Sequence, residues 1–311
     1  MVRIFEFMGI KIQITSFDTG SICFCEEYFN HFFACSEPQE CDNHVAFFVE
    51  IGDSFASDKD YVERDYVLVI ENPFVVYVNY LRRKIKIFGL KEDMYIELMR
   101  LIRELFISLI TSVNDCCFLH AACVANDEVA IAITGNKFAG KTTMCLNLLR
   151  HGWGFVSNDK LILHRKNCIS TQCYGLPISL GIREGTKELY SDELGNMEID
   201  EEDNRYYLSP NQLLDNFSVK VSNGKTLKMI LIPHLMPYVE KIALRKISDA
   251  ESKLILLQQS LDALYAEEKK LKQVEIFENR SILDDINVPM YEVYISENCN
   301  DQLAEIVKKY L

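Results

Sequence analysis

The chain has 311 residues, of which 49% are hydrophobic and 25% are charged, and its formal net charge at pH 7 is −13. This composition is typical of globular proteins that bury a sizeable core, so disorder is excluded as the main state, and the length favours two domains. Binding to nucleic acid or to an anionic membrane surface depends on Lys and Arg neutralising phosphates. The acidic charge therefore argues against both kinds of partner.

The eleven cysteines are scattered along the chain. Several of them, such as Cys116, Cys117 and Cys123, lie in apolar stretches, where a free thiol behaves as a small hydrophobe. Their odd number and spacing favour a reducing compartment over a disulfide framework. The N-terminus lacks a basic segment followed by an apolar run, and no later stretch has the roughly 20 apolar residues of a membrane span. We therefore expect a soluble, cytoplasmic protein.

The first part of the chain, residues 1–92, is predicted to form a small, mostly β domain. Short runs rich in β-branched and aromatic residues alternate there with Gly, Asp, Asn and Ser. The predicted strands are 11–15, 45–51, 66–70, 74–80 and 84–88. Apolar residues then recur at helical spacing from 94 to 112, which predicts a helix at the joint between the domains. The second domain is predicted to cover residues 93–311.

The sequence pattern of the second domain predicts an α/β fold. A strand at 117–125, the turn dipeptide Asn126-Asp127 and a strand at 129–134 lead into a glycine-bounded loop and a helix from about Lys141. Two short strands, 155–157 and 161–164, flank Asn158-Asp159-Lys160. Further strands are predicted at 227–232, 241–247 and 290–295, and helices at 249–272 and 302–310.

A group of potential metal ligands lies in the first domain. His31, Cys35, Cys41 and His44 form H-x3-C-x5-C-x2-H. Zinc is one interpretation, but the spacing fits no standard zinc site closely. The apolar residues 32–34 favour simple core packing instead.

The loop after the second strand of the α/β domain follows the pattern G-x-x-x-x-G-K-[ST]. Glycines let successive backbone N–H groups turn towards phosphates, the helix N-terminus adds partial positive charge, and Lys141 supplies a charge for the β- and γ-phosphates. The hydroxyl of Thr142 is expected to bind Mg²⁺. The alternative is a Gly-Lys turn that caps a helix without a ligand. The predicted nucleotide-binding residues are Gly135, Asn136, Lys137, Phe138, Ala139, Gly140, Lys141, Thr142 and Thr143.

Several segments, taken in order and spacing, resemble the catalytic core of HPr serine kinase/phosphorylase and its stand-alone relatives. They are residues 119–124 (LHAACV), the loop 135–142, Gly152 and residues 156–159 (VSND). The resemblance continues weakly through 174–177, 206–210 and 288–291, and so covers about 115–311. It implies an α/β fold with a P-loop nucleotide-binding core, an architecture shared with PEP carboxykinase. Residues 1–92 show no resemblance to the N-terminal domain of HPr kinase.

The resemblance also implies roles for individual residues. In the family, two aspartates at a strand end follow the P-loop helix, one serving the metal and the second acting as catalytic base on the acceptor hydroxyl. Asp159 takes the second position, with an Asx turn as the alternative. Asn158 stands where the first aspartate is expected; its neutral amide can bond a metal-bound water but adds no charge. The predicted metal ligands are Thr142, Asn158 and Asp159.

His120 corresponds to the family histidine on the strand ahead of the P-loop, where an imidazole could orient Asp159 or polarise a phosphate oxygen. A buried, hydrogen-bonded core histidine is the alternative. Arg183, Lys187 and Arg205 lie where the family places basic residues that meet phosphate or acceptor, with solvated surface as the alternative. Arg183 is favoured because it follows the matching segment 177–181. The predicted catalytic residues are Asp159, His120, Lys141 and Arg183.

The function implied is a kinase that transfers the γ-phosphate of ATP or GTP, with Mg²⁺, to a hydroxyl of a peptide, a protein or a small molecule. The alternative is a nucleotide-binding regulatory or interaction module without phosphotransfer, which Asn158 would permit. Phosphorolysis or a carboxykinase-like reaction on the same scaffold ranks last, since no oxaloacetate-binding set is recognisable. Acceptor recognition is assigned to residues 1–92 as a hypothesis. The resemblance allows a homo-oligomer, but the C-terminal signature helix of the hexameric HPr kinases is not recognisable.

Overall fold

The computed structural model describes residues 1–311 except 40–43, 53–65, 71–73, 112–114, 168–169, 202, 237–238, 266–280 and 297–301. The chain divides into two compact units, Met1–Ser112 and Val113–Leu311. Both contain helices and β-sheet, so the prediction of a mixed α/β protein is confirmed at this level. None of the helices in the described residues combines the length and the apolar composition that crossing a membrane would need.

The first unit is built on one sheet. Its strands are β1 (Val2–Phe7), β2 (Ile10–Ser16), β3 (Ala34–Ser36), β4 (Val45–Gly52), β5 (Val67–Ile70), β6 (Val75–Asn79) and β7 (Lys84–Phe88). Among the described residues, the strand order is β3-β1-β2-β4-β7-β6-β5. The pairs β2–β4 and β4–β7 are parallel, and the others are antiparallel. Each of the five strands predicted in this part of the chain is present, with ends shifted by one residue at most.

Two α-helices accompany this sheet, and the first of them was not predicted. They are α1 (Thr19–Phe29) and α2 (Tyr95–Thr111), the latter preceded by a 3₁₀ turn, Glu92–Met94. The carboxylate of Asp18 caps α1, accepting from the backbone N–H groups of Gly20 at 2.9 Å and Ser21 at 3.1 Å. Glycine, cysteine and aromatic residues have low helix propensity, and that composition concealed the helix. Its buried residues are Ser21, Ile22, Cys25 and Phe29.

An aromatic cluster joins α2 to the rest of the first unit. The fully buried ring of Phe106 lies with its centroid 4.5 Å from that of Phe33 and 6.3 Å from that of Phe7. Edge-to-face contacts at such distances are favourable beyond the burial of area. The first unit therefore extends to Ser112 rather than ending after residue 92, because α2 packs into its core.

The same cluster bears on the possible zinc ligands. Phe32 and Phe33 are buried, whereas His31 and Cys35 are exposed. Cys41 lies outside the described residues, and no group of three or more His, Cys, Asp or Glu side chains suited to a metal occurs among the described ones. In the described part of this segment, the side chains of Phe32 and Phe33 therefore pack in the core.

Replacing Phe106 by Ala is expected to lower the free energy of unfolding of the first unit by about 3–5 kcal/mol, because the substitution leaves a cavity in a well-packed cluster. Hydrogen exchange followed by mass spectrometry on the full chain would show faster exchange of the amides of β1 and β2. Ile96→Ala, on the same helix at a side chain that is 60% exposed, is the matched control and should change little. Unchanged exchange in Phe106→Ala would contradict the placement of α2 in this core.

The second unit contains a larger sheet and a small one. Its strands are β8 (Cys116–Asn126), β9 (Val129–Thr134), β10 (Gly154–Ser157), β11 (Lys160–Asn167), β12 (Ser170–Gly175), β13 (Leu180–Ile182), β14 (Ile199–Asp200), β15 (Arg205–Leu208), β16 (Lys225–Leu235), β17 (Ala243–Lys246) and β18 (Met290–Ile295). Its helices are α3 (Lys141–Arg150), α4 (Glu184–Leu189), α5 (Ser191–Leu194), α6 (Pro210–Asn216), α7 (Asp249–Tyr265), α8 (Ser281–Asp285) and α9 (Leu303–Tyr310).

The larger sheet combines a parallel centre with antiparallel flanks. Described strands run in the order β10-β8-β11-β12-β16-β18-β17, and β9 pairs with both β16 and β8. β9, β16 and β18 are parallel to one another. β8 leads into β9 through a turn at Asp127, where φ is 52°, and the two strands pair antiparallel. The three parallel strands therefore end at the same edge of the sheet, at Thr134, Leu235 and Ile295.

The small sheet was not predicted from sequence. β13, β14 and β15 are two to four residues long and pair antiparallel in the order β13-β15-β14. Runs this short show no readable alternation, so their pairing depends on the rest of the unit. Helix α7 was predicted to continue to residue 272, and its part beyond 265 lies outside the described residues.

Candidate active site

The carboxyl edge of the parallel strands opens onto a cavity of about 950 Å³ within the second unit. Loops at the carboxyl ends of parallel strands are the usual place for ligand binding in α/β sheets. The lining residues come from β8, from the loop after β9, from α3, from the turn between β10 and β11, from the small sheet and α4 with the residues just before them, and from the ends of β16 and β18. They are His120, Lys137, Phe138, Ala139, Gly140, Lys141, Thr142, Thr143, Asn158, Asp159, Ile178, Ser179, Gly181, Arg183, Gly185, Thr186, Leu189, Arg205, Tyr207, Leu235, Met236 and Ser296.

The loop between β9 and α3 requires its two glycines. Gly135 has φ 139° and Gly140 has φ 100°, a region that residues with a Cβ rarely adopt. A Cβ at Gly140 would also lie 2.8 Å from Cγ of Leu235, so a larger residue there would force the side chain of Leu235 to move. Gly140 is the N-cap of α3, and the helix begins at Lys141. The backbone therefore wraps tightly around the helix N-terminus.

Lys141 folds back over this loop. Its ammonium donates to the carbonyl oxygen of Gly135 at 2.8 Å and to that of Asn136 at 3.3 Å. A positive charge is thus held above the first turn of α3, where the helix dipole also favours an anion. The arrangement can bind a phosphate group.

The two threonines that follow differ in their surroundings. Thr142 lines the cavity and is half-buried. The hydroxyl of Thr143 is 2.9 Å from that of Thr186, and the carbonyl of Thr143 accepts from the hydroxyl of Tyr190 at 2.9 Å. The side chain of Thr143 therefore ties α3 to α4, while Thr142 has the more open hydroxyl.

His120 and Asp159 form a pair at the cavity wall. Nδ1 of His120 lies 3.0 Å from Oδ1 of Asp159. They meet because β8 and β11 are antiparallel, with Lys160 opposite His120. The backbone N–H of Ala121 also donates to the carbonyl of Asp159 at 3.2 Å. An imidazole held by a carboxylate in this way has a fixed orientation.

The pKa of Asp159 is lowered from its ordinary value. Burial acts to raise this pKa, but the hydrogen bond from His120 and the charges of His120, Lys141 and Lys160 together outweigh burial. The carboxylate is therefore ionised at neutral pH, as a proton acceptor must be. Because its side chain is 43% exposed, an incoming molecule can reach it.

Replacing His120 by Ala is expected to raise the pKa of Asp159 towards or above its ordinary value, since burial remains while the hydrogen bond and the charge of His120 are lost. In the native protein, the pair contributes stability above the ordinary carboxyl pKa and loses it as the pH falls through the lowered value. Carboxyl carbon NMR titration measures the shift. Glu292, whose pKa is lowered mainly by a hydrogen bond from Arg245, is the internal control and should not move. An unmoved Asp159 titration would contradict the assignment.

Asn158 presents an unusual polar atom. Its Oδ1 is buried and has no hydrogen-bond partner among the described residues. Buried acceptors are normally satisfied, so an isolated one next to a cavity marks a place for a water, an ion or a ligand. Thr142, Asn158 and Asp159 bring a hydroxyl, an amide oxygen and a carboxylate to one cavity. These are oxygen donors, the type that Mg²⁺ prefers.

The structure places two of the three basic residues predicted near the site in the cavity lining. Arg183 and Arg205 line the cavity, together with Lys137 on the loop. Arg183 lies 4.2 Å from the ring centroid of Phe138. Lys187 is not among the lining residues, and its ammonium lies 4.2 Å from the ring centroid of Tyr206. The sequence analysis did not assign Leu235, Met236 and Ser296 to the site. Their position at the end of a parallel strand, or directly after one, was the signal that could have found them.

Comparison of the chain with protein-family models and with curated proteins gives no match. Among solved structures, the chain is similar to the HPr(Ser) kinase/phosphatase from Coxiella burnetii. The identity is 15% and the TM-score 0.33, over 62% of this chain and 89% of that one. At this TM-score and identity, the similarity carries no conclusion about the family or the activity of this chain.

Proposed function

We propose that this protein is a kinase that uses ATP or GTP with Mg²⁺ and transfers the γ-phosphate to a hydroxyl of a peptide, a protein or a small molecule. One observation carries the proposal: residues 137–142 of the loop and the ionised Asp159 line the same cavity. A phosphate-binding element and a proton acceptor within one cavity are the two parts that this reaction needs.

Each residue has a distinct task in this proposal. Backbone N–H groups of the loop and the ammonium of Lys141 bind the phosphates. Thr142, Asn158 and Asp159 are the donors that would hold Mg²⁺, which neutralises charge on the phosphates when bound. Asp159 accepts the proton of the acceptor hydroxyl, and His120 keeps its carboxylate oriented. Arg183 and Arg205 add positive charge at the cavity wall.

The cavity has room for two reactants. Binding sites for small molecules commonly have volumes of about 300–1,000 Å³. A volume of about 950 Å³ is at the upper end of that range, which supports a nucleotide and part of an acceptor side by side. The acidic net charge of −13 is reversed locally, because Lys137, Lys141 and Arg183 line the cavity with the carboxylate of Asp159, while Arg205 is paired with Asp203 at 3.5 Å.

A second function is favoured by Asn158. Its neutral amide brings no charge to the proposed metal site, and a protein can hold a nucleotide without transferring phosphate. The alternative is therefore a nucleotide-binding regulatory or interaction module that uses the same loop.

The test is a transfer assay. Purified protein is incubated with γ-labelled ATP, Mg²⁺ and an extract of its own cells, and both labelled acceptors and released phosphate are measured. A labelled acceptor supports the kinase. Binding of ATP by calorimetry without any labelled acceptor favours the module, whereas no binding of ATP or GTP in the presence of Mg²⁺ would refute both.

A further inference from the structure

Phe138 occupies an unfavourable position for its residue type. It lies at the tip of the loop 135–142 with φ 71°, and its side chain is 68% exposed. Bulky residues in the left-handed region are outliers that persist only where the surroundings fix them, and they concentrate at functional sites. An exposed ring also contributes little to the hydrophobic core. Neither backbone geometry nor core packing explains an aromatic residue here.

The ring of Phe138 has a specific partner from a distant element. The guanidinium carbon of Arg183, the N-cap residue of α4, lies 4.2 Å from the ring centroid. The ammonium of Lys137 lies 5.5 Å from the same centroid, a contact that follows from its neighbouring position in the chain. Arg183 is the closer cation, and its contact depends on the fold. Both Phe138 and Arg183 line the cavity.

An arginine held over an aromatic face is still able to bind an anion. The cation–π contact uses the ring face, whereas the five N–H donors of a guanidinium point outwards in its own plane. No hydrogen bond from the guanidinium of Arg183 to another described residue is present. The donors are therefore available on the cavity side of the loop.

We propose that Phe138 is a positioning residue that holds Arg183 beside the phosphate-binding loop, so that Arg183 recognises the terminal phosphate of a nucleoside triphosphate. The inference rests on the proposed nucleotide binding and extends it to discrimination between triphosphate and diphosphate. Arg183 provides the contact to the phosphate, and Phe138 reduces the side-chain freedom that Arg183 would otherwise lose on binding.

The test compares the affinities of Mg·ATP and Mg·ADP by calorimetry in single and double variants. Arg183→Ala is expected to reduce the preference for ATP over ADP by about tenfold or more, since it removes charge-assisted hydrogen bonds. Phe138→Leu keeps an apolar, non-glycine residue but removes the π face, and should reduce the preference by about two- to fivefold. Phe138→Tyr keeps the ring and should preserve it. In all of these variants except Phe138→Tyr, affinity for ADP should fall less than affinity for ATP.

The double variant Phe138→Leu/Arg183→Ala separates positioning from an independent role of the ring. If Phe138 acts through Arg183, the double variant loses no more than Arg183→Ala alone. Additive losses would overturn the proposal, as would an ATP preference unaffected by either single substitution. Failure of the unaltered protein to bind Mg·ATP or Mg·ADP would instead refute the proposed nucleotide site, and this result is distinguishable from the others.

Discussion

Lys141→Ala is expected to reduce the affinity for Mg·ATP by on the order of 100-fold or more, because it removes the charge that the loop holds above the helix N-terminus. The ammonium of Lys141 already lies 2.8 Å from the carbonyl oxygen of Gly135, so the loss is local to the proposed phosphate site. Calorimetric titration of the purified variant with ATP in the presence of Mg²⁺ measures the effect. Circular dichroism checks that the variant remains folded.

Lys253→Ala is the matched control for this substitution. It removes the same charge from an exposed position on α7 that does not line the cavity, and it should bind Mg·ATP as the unaltered protein does. If the unaltered protein binds Mg·ATP and Lys141→Ala binds it equally well, the loop is not the phosphate site, and the interpretation of residues 135–142 is wrong.

Asp159→Asn is expected to slow phosphate transfer by about 10²–10⁴-fold, the range that general base catalysis commonly contributes. Binding of Mg·ATP should be weakened much less than transfer, since the phosphates are bound mainly by the loop and Lys141 and the amide oxygen can still bind Mg²⁺. The amide has nearly the same shape as the carboxylate but cannot accept the proton of a hydroxyl. Transfer of label from γ-labelled ATP to an acceptor, with calorimetry alongside, measures the two effects separately.

Asp192→Asn makes the same chemical change on α5 at an exposed residue outside the cavity, and should leave transfer unchanged. Equal transfer by Asp159→Asn and the unaltered protein would exclude Asp159 as the base. A protein that binds Mg·ATP but transfers no label even when unaltered would point to the nucleotide-binding module instead.

Much of the fold could be predicted because it is encoded over short stretches of sequence. β7, β9 and β18 were predicted with the bounds that the structure shows, and α2 and α3 begin within one residue of the predicted position. Alternating or continuous apolar runs between turn residues indicate such strands directly. α1 was missed because its stability depends on the Asp18 cap and on packing rather than on its own propensity.

The domain boundary also could not be predicted from a local sequence pattern. The periodic segment 94–112 was recognised as a helix, but its spacing does not say which sheet its apolar side meets. The contacts of Phe106 with Phe7 and Phe33 place it in the first unit. A helix pattern determines the buried face, whereas its partner is decided by residues far away in the sequence.

The sequence by itself determined the loop between β9 and α3, because the two glycines, the lysine and the flanking elements lie within one continuous segment. Only the tertiary structure decided what surrounds that loop. The antiparallel pairing of β8 and β11 brings His120 within 3.0 Å of Asp159, the end of β16 places Leu235 against Gly140, and the fold sets Arg183 over Phe138. The spacing of residues within a short segment indicates its backbone conformation and whether it forms a helix or a strand. Contacts between distant residues depend on strand pairing and packing, and no short segment determines these.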